Sequence, residues 1–392
     1  MRNKWLAGFL VLGLLLAACG PAATATPVPR VPPTNTPAPL PPIKLGVIFA
    51  ATGPRAGVGG PERDAVIWAM RQINVAGGVL GRKIELVIED DQGQDVVTGP
   101  IAKKLLEQDK VVAIIGSTGL ASSRVLSAAA EQAKVPACIT MKWDVMALKE
   151  AAHYSFSPAS DYADDYKPMV QPIIDAGYKK VAMVRNNVGP TITDAKESQK
   201  LFDAASVKYS EDEYKIDDVE FSALAIRVKA ATPNVIYVMG AVVPPAAAFV
   251  KAVRDLGMTT PIIIQADLAT SDFPKLAGDA AEGVTVVGVK FPQDPSIQSP
   301  VQKVLTAIVA AEKPGQYPSQ YHGWSWDCVN LLAEGIKRSG STDSEAIKNA
   351  IDKISNFDGV LGRLSFSPEQ RRGLDAPKFY TMLFKGGKLV AK

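Results

Sequence analysis

The stretch NVAGGVLGRKIELVIEDDQG, Asn74 to Gly93, joins glycines, a basic pair, an apolar run and the acids Glu89, Asp90 and Asp91. Glycines can let backbone N–H groups cradle a phosphate, and clustered carboxylates can hold a divalent cation. A phosphate loop, however, runs strand, glycines, helix, so that the helix N-terminus faces the anion. Here an apolar helical pattern comes first and the strand last. Gly77 and Gly78 fall where a helix C-cap needs left-handed backbone, and Gly81 serves the turn into the strand. The acids lack EF-hand spacing and read as solvated or helix-capping groups, with no metal. GSTGLASS, Gly116 to Ser123, lies between a strand and a helix and suits an anion, but it matches neither dinucleotide nor Walker loops. In HGWSWD, Asp327 replaces the second glycine of a nucleophile elbow around Ser325, and no strand precedes it. The two histidines, His153 and His322, have no metal-spaced neighbour and read as structural.

The elements that must position these residues alternate from Ile43 onward. IKLGVIFA is a strand, Glu62–Val75 has helical spacing, RKIELVIEDD is a strand, and Val96–Gln108 is a helix with Asp95 placed as its N-cap. VVAIIG, a helix over Ser122–Ala133 and VPACIT follow. Later come the strands KVAMV, VIYVM, PIIIQ and VTVVGV, with helices such as Ala246–Leu256 and Val301–Ala311 between them. Apolar strands alternating with helices predict parallel sheets covered on both faces. The units are too many for one modest sheet, so the chain is expected to form two α/β lobes, with ligands beyond the carboxyl ends of the strands or between the lobes.

Ahead of this body, Arg2 and Lys4 precede an apolar run, Trp5 to Leu16, too short to cross a bilayer comfortably. Leu16-Ala17-Ala18-Cys19 resembles the bacterial lipobox, in which cleavage leaves a diacylated cysteine, here Cys19. Residues 1–18 are thus a signal peptide. Residues 19–42 are a lipidated cysteine and a Pro/Thr/Ala-rich tether that cannot build a core. The 392 residues carry 43 basic and 40 acidic side chains, a net charge of +3, and no dense basic run, which argues against a nucleic-acid partner. Export permits a disulfide, but Cys138 and Cys328 are read as two buried free thiols, because sequence alone cannot bring them within bridging distance.

ATGPRAGVG, INVAGGVLGRKIELVIEDDQ, VVAIIGSTG, VKAATPNVIYVMG, VRDLG, LAGDAAEGVTVV and DGVLGRLSFSP stand in one order. Together they resemble the branched-chain amino-acid (Leu/Ile/Val) binding family, the type I periplasmic substrate-binding proteins of ABC importers. The resemblance runs from about Ile43 to the C-terminus. It implies an α/β fold of two doubly wound lobes joined by a three-crossover hinge. Lobe one would take 43–159 plus 290–361, and lobe two 160–289 plus 362–392. It further implies a monomer that uses no cofactor and no metal, holds a small-molecule ligand between its lobes, delivers it to an ABC transporter permease, and meets the membrane only through its lipid.

Three departures bear on the ligand. Leu120 stands where the family usually has a serine. Thr140-Met141-Lys142-Trp143 replaces a small-residue polar run, and Asn187-Val188-Gly189-Pro190-Thr191 replaces a Tyr-Gly pair. Those positions grip the α-amino and α-carboxyl groups of an amino acid in the family. Ser117, Thr118 and the amides near Gly119 remain to hold a carboxylate, and Arg55 in the GPRAG loop, Thr140 and Thr191 are further candidate ligand contacts. Met141, Trp143, Tyr162 and Phe291 would supply apolar walls, and Asp267 stands near the family's acidic ammonium partner. The expected ligand is a hydrophobic or aromatic carboxylate rather than leucine, isoleucine or valine. The alternatives are a tethered ligand sensor feeding a signalling partner, and a secreted α/β hydrolase, for which no nucleophile with a nearby base is found.

Overall fold

The computed structural model describes residues 40–142, 152–374 and 377–392. The expected signal peptide and tether up to residue 39, Cys19 and Trp143 lie outside the described residues. The tether's last prolines are held to the body, because the Arg82 guanidinium donates to the carbonyls of Pro41 (2.7 Å) and Pro42 (3.2 Å).

β-branched and leucine residues in short runs form two main sheets. In the first, β1 (Ile43–Phe49) lies between β2 (Ile84–Asp90) and β3 (Ala113–Gly116), and β4 (Ala137–Ile139) and β5 (Ser155–Phe156) extend it in the order β2-β1-β3-β4-β5, all parallel. Successive β1 side chains face opposite cores. Leu45, Val47 and Phe49 meet α1 (Ala56–Val75) and α10 (Gln320–Ser339), while Ile48 meets the core under α2 (Asp95–Glu107) and α3 (Leu120–Ala133). α1 starts earlier than its apolar spacing suggests and runs through Pro61, inside its second turn. Gly59 makes this docking possible: a Cβ there would lie 2.2 Å from the Ala50 carbonyl. The glycines after α1 act as expected, with Gly77 and Gly78 at positive φ and the Gly78 N–H closing on Ile73 O at 2.9 Å.

The second sheet runs β14-β13-β10-β9-β8-β6-β7. β6 (Lys180–Asn186), β7 (Lys208–Tyr214), β8 (Val235–Met239), β9 (Ile262–Gln265) and β10 (Thr285–Val289) are parallel. Ala182 and Val184 face one core and Val181 and Met183 the other. α4 (Tyr162–Asp175) and α5 (Gly189–Ala204) cover one face, and α6 (Ser222–Ala230) and α7 (Val243–Asp255) the other. The expectation of purely parallel sheets fails at one edge. β13 (Tyr380–Lys385) pairs antiparallel with β10 and turns into β14 (Lys388–Ala391). β7 reads KYSEDEY and has no apolar signature. It is an edge strand, and its Glu211 and Glu213 pair with Arg185 of β6. A small pair, β11 (Phe357–Asp358) with β12 (Arg363–Leu364), follows α9 (Pro300–Glu312), α10 and α11 (Ser344–Ile351). Leu364, Phe366 and Leu374 still belong to the core of the first sheet. No helix among the described residues is long and apolar enough to cross a membrane.

Three local expectations are corrected. Cys138 and Cys328 are not free thiols but a disulfide that ties β4 to α10, with Cα atoms 5.6 Å apart. The fold brings together positions separated by 190 residues, a loop whose closure contributes up to about 5 kcal/mol in the chain-entropy account. Asp95 is the first residue of α2 and not its cap; its carboxylate instead accepts from Arg55 Nη1 at 3.2 Å. Of the three acids Glu89, Asp90 and Asp91 at the carboxyl end of β2, Asp91 is fully buried rather than solvated.

Candidate ligand-binding cleft

A cleft of about 1350 Å³ opens where the carboxyl ends of strands from both sheets meet. Arg55 follows β1, Thr118–Arg124 follow β3, and Met141 follows β4. Tyr162 and Tyr166 follow β5, Val188–Thr191 follow β6, Val242–Pro244 follow β8, and Lys275 and Leu276 follow β9. The wall on the second sheet's side is largely apolar, carrying Val188, Pro190, Ile216, Val242, Val243 and Leu276.

On the first sheet's side the chain turns at Gly119 (φ 123°) into α3, which has no side-chain cap on its first N–H groups. The hydroxyls just before it point inward. Ser117 Oγ donates to Asp91 Oδ2 at 2.8 Å, and Thr98 Oγ1 donates to the same oxygen at 3.0 Å. Thr118 Oγ1 accepts from Ala50 N at 3.1 Å and shares a short hydrogen bond with Glu62. Both hydroxyls are therefore committed to holding the loop, although Thr118 still lines the cleft. Glu62 is fully buried, with no cation against it among the described residues, and burial pushes its carboxyl up to about 8 despite the Thr118 bond. The Arg55 guanidinium stands close beside this turn, since a Cβ on Gly119 would lie 2.7 Å from Nη1. The amides of α3 and Arg55 together leave this end of the cleft favourable to an anion.

The floor of the cleft is different. A chamber of about 60 Å³ is lined by Lys142, Tyr162, Asp194, Gln265, Asp267 and Trp324, among others. Lys142 Nζ lies 3.0 Å from Asp165 Oδ2, 3.1 Å from Asp267 Oδ2 and 5.1 Å from the centre of the Tyr162 ring. Asp267 Oδ1 also accepts from Gln320 Nε2 at 2.5 Å and from Tyr321 OH at 3.2 Å. On the far side, Lys290 Nζ reaches Asp165 Oδ2 at 2.8 Å and Ser160 Oγ at 2.5 Å. Burial works against the charge of Asp165, yet Lys290 and Lys142 outweigh it and hold the carboxyl below its usual range. Burial works against the charge of Lys142 as well, and Asp267 and Asp165 override it to keep the lysine charged. Asp194 has Gln265 Nε2 at 3.4 Å but, among the described residues, no direct ammonium contact. Burial lifts it to about 7, against the pull of Lys142.

Of the residues singled out from sequence, Arg55, Thr118, Gly119, Met141, Tyr162 and Thr191 line the cleft, and Asp267 lines the chamber. Ser117 is turned into the Asp91 network, and Thr140 is fully buried behind the wall. Phe291 is part of the first sheet's core. His322 stacks on Trp68 and its Nδ1 accepts from Ser319 N, while burial pushes the ring down to about 4 and keeps it neutral. Sequence reading passed over Lys142, Asp165, Asp194 and Lys290. The usable signal was a lysine closing an apolar strand run, in CITMK and VVGVK: an ammonium placed there requires a buried carboxylate.

The sequence pattern of the periplasmic binding protein family matches residues 42–388. The chain belongs to that family. Among its relatives is Leu/Ile/Val-binding protein homolog 1 of Brucella abortus, 24% identical over 83% of this chain and 86% of the relative. Another is the leucine-, isoleucine-, valine-, threonine- and alanine-binding protein of Pseudomonas aeruginosa, 25% identical over 83% of this chain and 85% of that one. The fold is that of the substrate-binding protein LivJ from Streptococcus pneumoniae, solved with isoleucine. That structure has a TM-score of 0.80 and 24% identity and covers 89% of this chain and 98% of its own. Like it, this family member has the α/β architecture of the type I, branched-chain amino-acid binding group.

Proposed function

We propose that the protein is a lipid-anchored, extracytoplasmic solute-binding protein that captures a hydrophobic or aromatic carboxylate in its cleft and delivers it to an ABC importer. Membership of the periplasmic binding protein family supports capture and delivery. The observation that carries the ligand class is the cleft wall. The hydroxyls of Ser117 and Thr118 are used inside the protein, and the facing wall is largely apolar. An amino-acid head group placed there would leave polar groups unpaired, at roughly 1–3 kcal/mol each. An alkyl or aromatic body gains from the same wall, and one carboxylate meets the amides of α3 beside Arg55.

Capture involves closure of two lobes about the crossovers that follow β5 and β10 and precede β13, and the ligand favours the closed form by its contacts with both sides. Cys19 at the end of the Pro-rich tether holds the body at the membrane. A thermal-shift screen of aromatic and branched aliphatic carboxylates beside the branched-chain amino acids tests the ligand class. A binder at 100 times its Kd stabilises the protein by roughly 2.7 kcal/mol. Carboxylates should raise the melting temperature and free amino acids should not; the reverse ranking removes this ligand class.

A further inference from the structure

The cleft floor contains more acid than base. Asp194 and Asp267 line the chamber and Asp165 contacts Lys142 beside it, and among the described residues the ammonium groups there are those of Lys142 and Lys290. Lys290 lies behind Asp165 and bonds Ser160. Among the described residues, Lys142 is the one lysine in direct contact with Asp267, and it alone joins Asp267 to Asp165. It leaves the first sheet three residues after β4 and reaches acids carried by α4 and by the turn after β9, across the cleft floor. Its surroundings match a primary ammonium: two carboxylate oxygens at about hydrogen-bond distance and an aromatic face, Tyr162, for the remaining side. Removing the lysine would leave Asp165 with Lys290 but Asp267 without its counter-charge, the arrangement that buried ion pairs tolerate least.

We propose that Asp165 and Asp267 form a primary-ammonium subsite that the chain fills with its own Lys142, so that the cleft selects ligands lacking an ammonium group. This rests on the reading that the ligand lies in the cleft, and it names the residue that sets the ligand class. A ligand ammonium reaching this depth would meet an acid pair already neutralised and a like charge beside it. A carboxylate with an apolar body needs nothing from the subsite and lies above it.

The test needs no knowledge of the ligand. Beyond Cβ, the lysine side chain is three methylenes and an ammonium, which is n-propylammonium. The Lys142→Ala protein should melt well below wild type, and tens of millimolar n-propylammonium chloride should raise its melting temperature by roughly 5 °C over sodium chloride or 1-propanol at the same concentration. Wild type and Lys142→Met, whose side chain still fills the slot, should show no such difference. If Lys142→Ala does not fold unaided, its refolding yield in propylammonium against sodium chloride gives the same reading. Equal effects of propylammonium and propanol on Lys142→Ala, or equal rescue of Lys142→Met, would overturn the proposal. These outcomes are separable from the ligand class: wild type that binds leucine refutes that class, whereas absent rescue refutes only the role of Lys142.

Discussion

The two polar clusters beside the cleft treat buried carboxylates in opposite ways. Behind the Ser117–Gly119 turn, Glu62 is buried among hydroxyls, with no cation in contact among the described residues, and its carboxyl rises to about 8. On the floor, Asp165 is as deeply buried, but Lys290 and Lys142 hold it below its usual range. Burial alone favours the neutral acid; burial with well-placed ammonium groups favours the ion. In the first cluster Glu62 can brace an anion-accepting turn as a neutral acid, without adding its own negative charge beside that of Asp91. The second is an ion network in which Lys142 already stands between Asp165 and Asp267.

The largest expected effect comes from breaking the floor network. Asp165→Asn leaves Lys142 and Lys290 facing an amide, and it should cost about 3–5 kcal/mol in denaturant unfolding at pH 7. Because the folded carboxyl is depressed, its contribution is present above the ordinary aspartate range and is lost as pH falls through it, so wild type and variant should converge in acid. Glu62→Gln should behave in the opposite sense. A carboxyl raised from 4.5 to about 8 contributes stability that is complete below pH 4.5 and lost as pH rises through 8. Wild type should therefore lose about 3 kcal/mol between pH 5 and pH 8 from this group, and Glu62→Gln should lack that slope. Asp194 lies between the two cases, near 7. Asp194→Asn should remove a smaller slope, about 2 kcal/mol between pH 5 and pH 7, with stability again falling as pH rises in wild type. A flat wild-type profile from pH 5 to pH 8 would break the comparison.

Much of the fold was legible in the sequence because its strands are buried on both faces. IKLGVIF and VIYVM have no other reading once helices flank them, and Gly77-Gly78 marks the end of α1 by its backbone requirement. The edges were not legible. KYSEDEY is a strand because Arg185 of the neighbouring strand pairs its glutamates, which is a tertiary fact. The disulfide depends on β4 and α10 meeting across 190 residues. In the site, the position of the α3 turn followed from strand–loop–helix order, so Gly119 and Thr118 were found. The direction of the hydroxyls was not, because Asp91 and Glu62 claim them from other segments. Lys142 stood in plain view between Met141 and Trp143, but its partners come from α4 and the turn after β9, and no spacing rule links them.

The central claim, a cleft that takes an apolar carboxylate and has no place for an ammonium, is tested most directly by calorimetry with a matched pair. 4-Methylpentanoate is leucine without its amino group, so the two share the alkyl body and the carboxylate. The wild-type protein should bind 4-methylpentanoate more tightly than leucine, by at least roughly tenfold if one buried ammonium is left without a partner. Leucine binding the more tightly of the two would contradict the account.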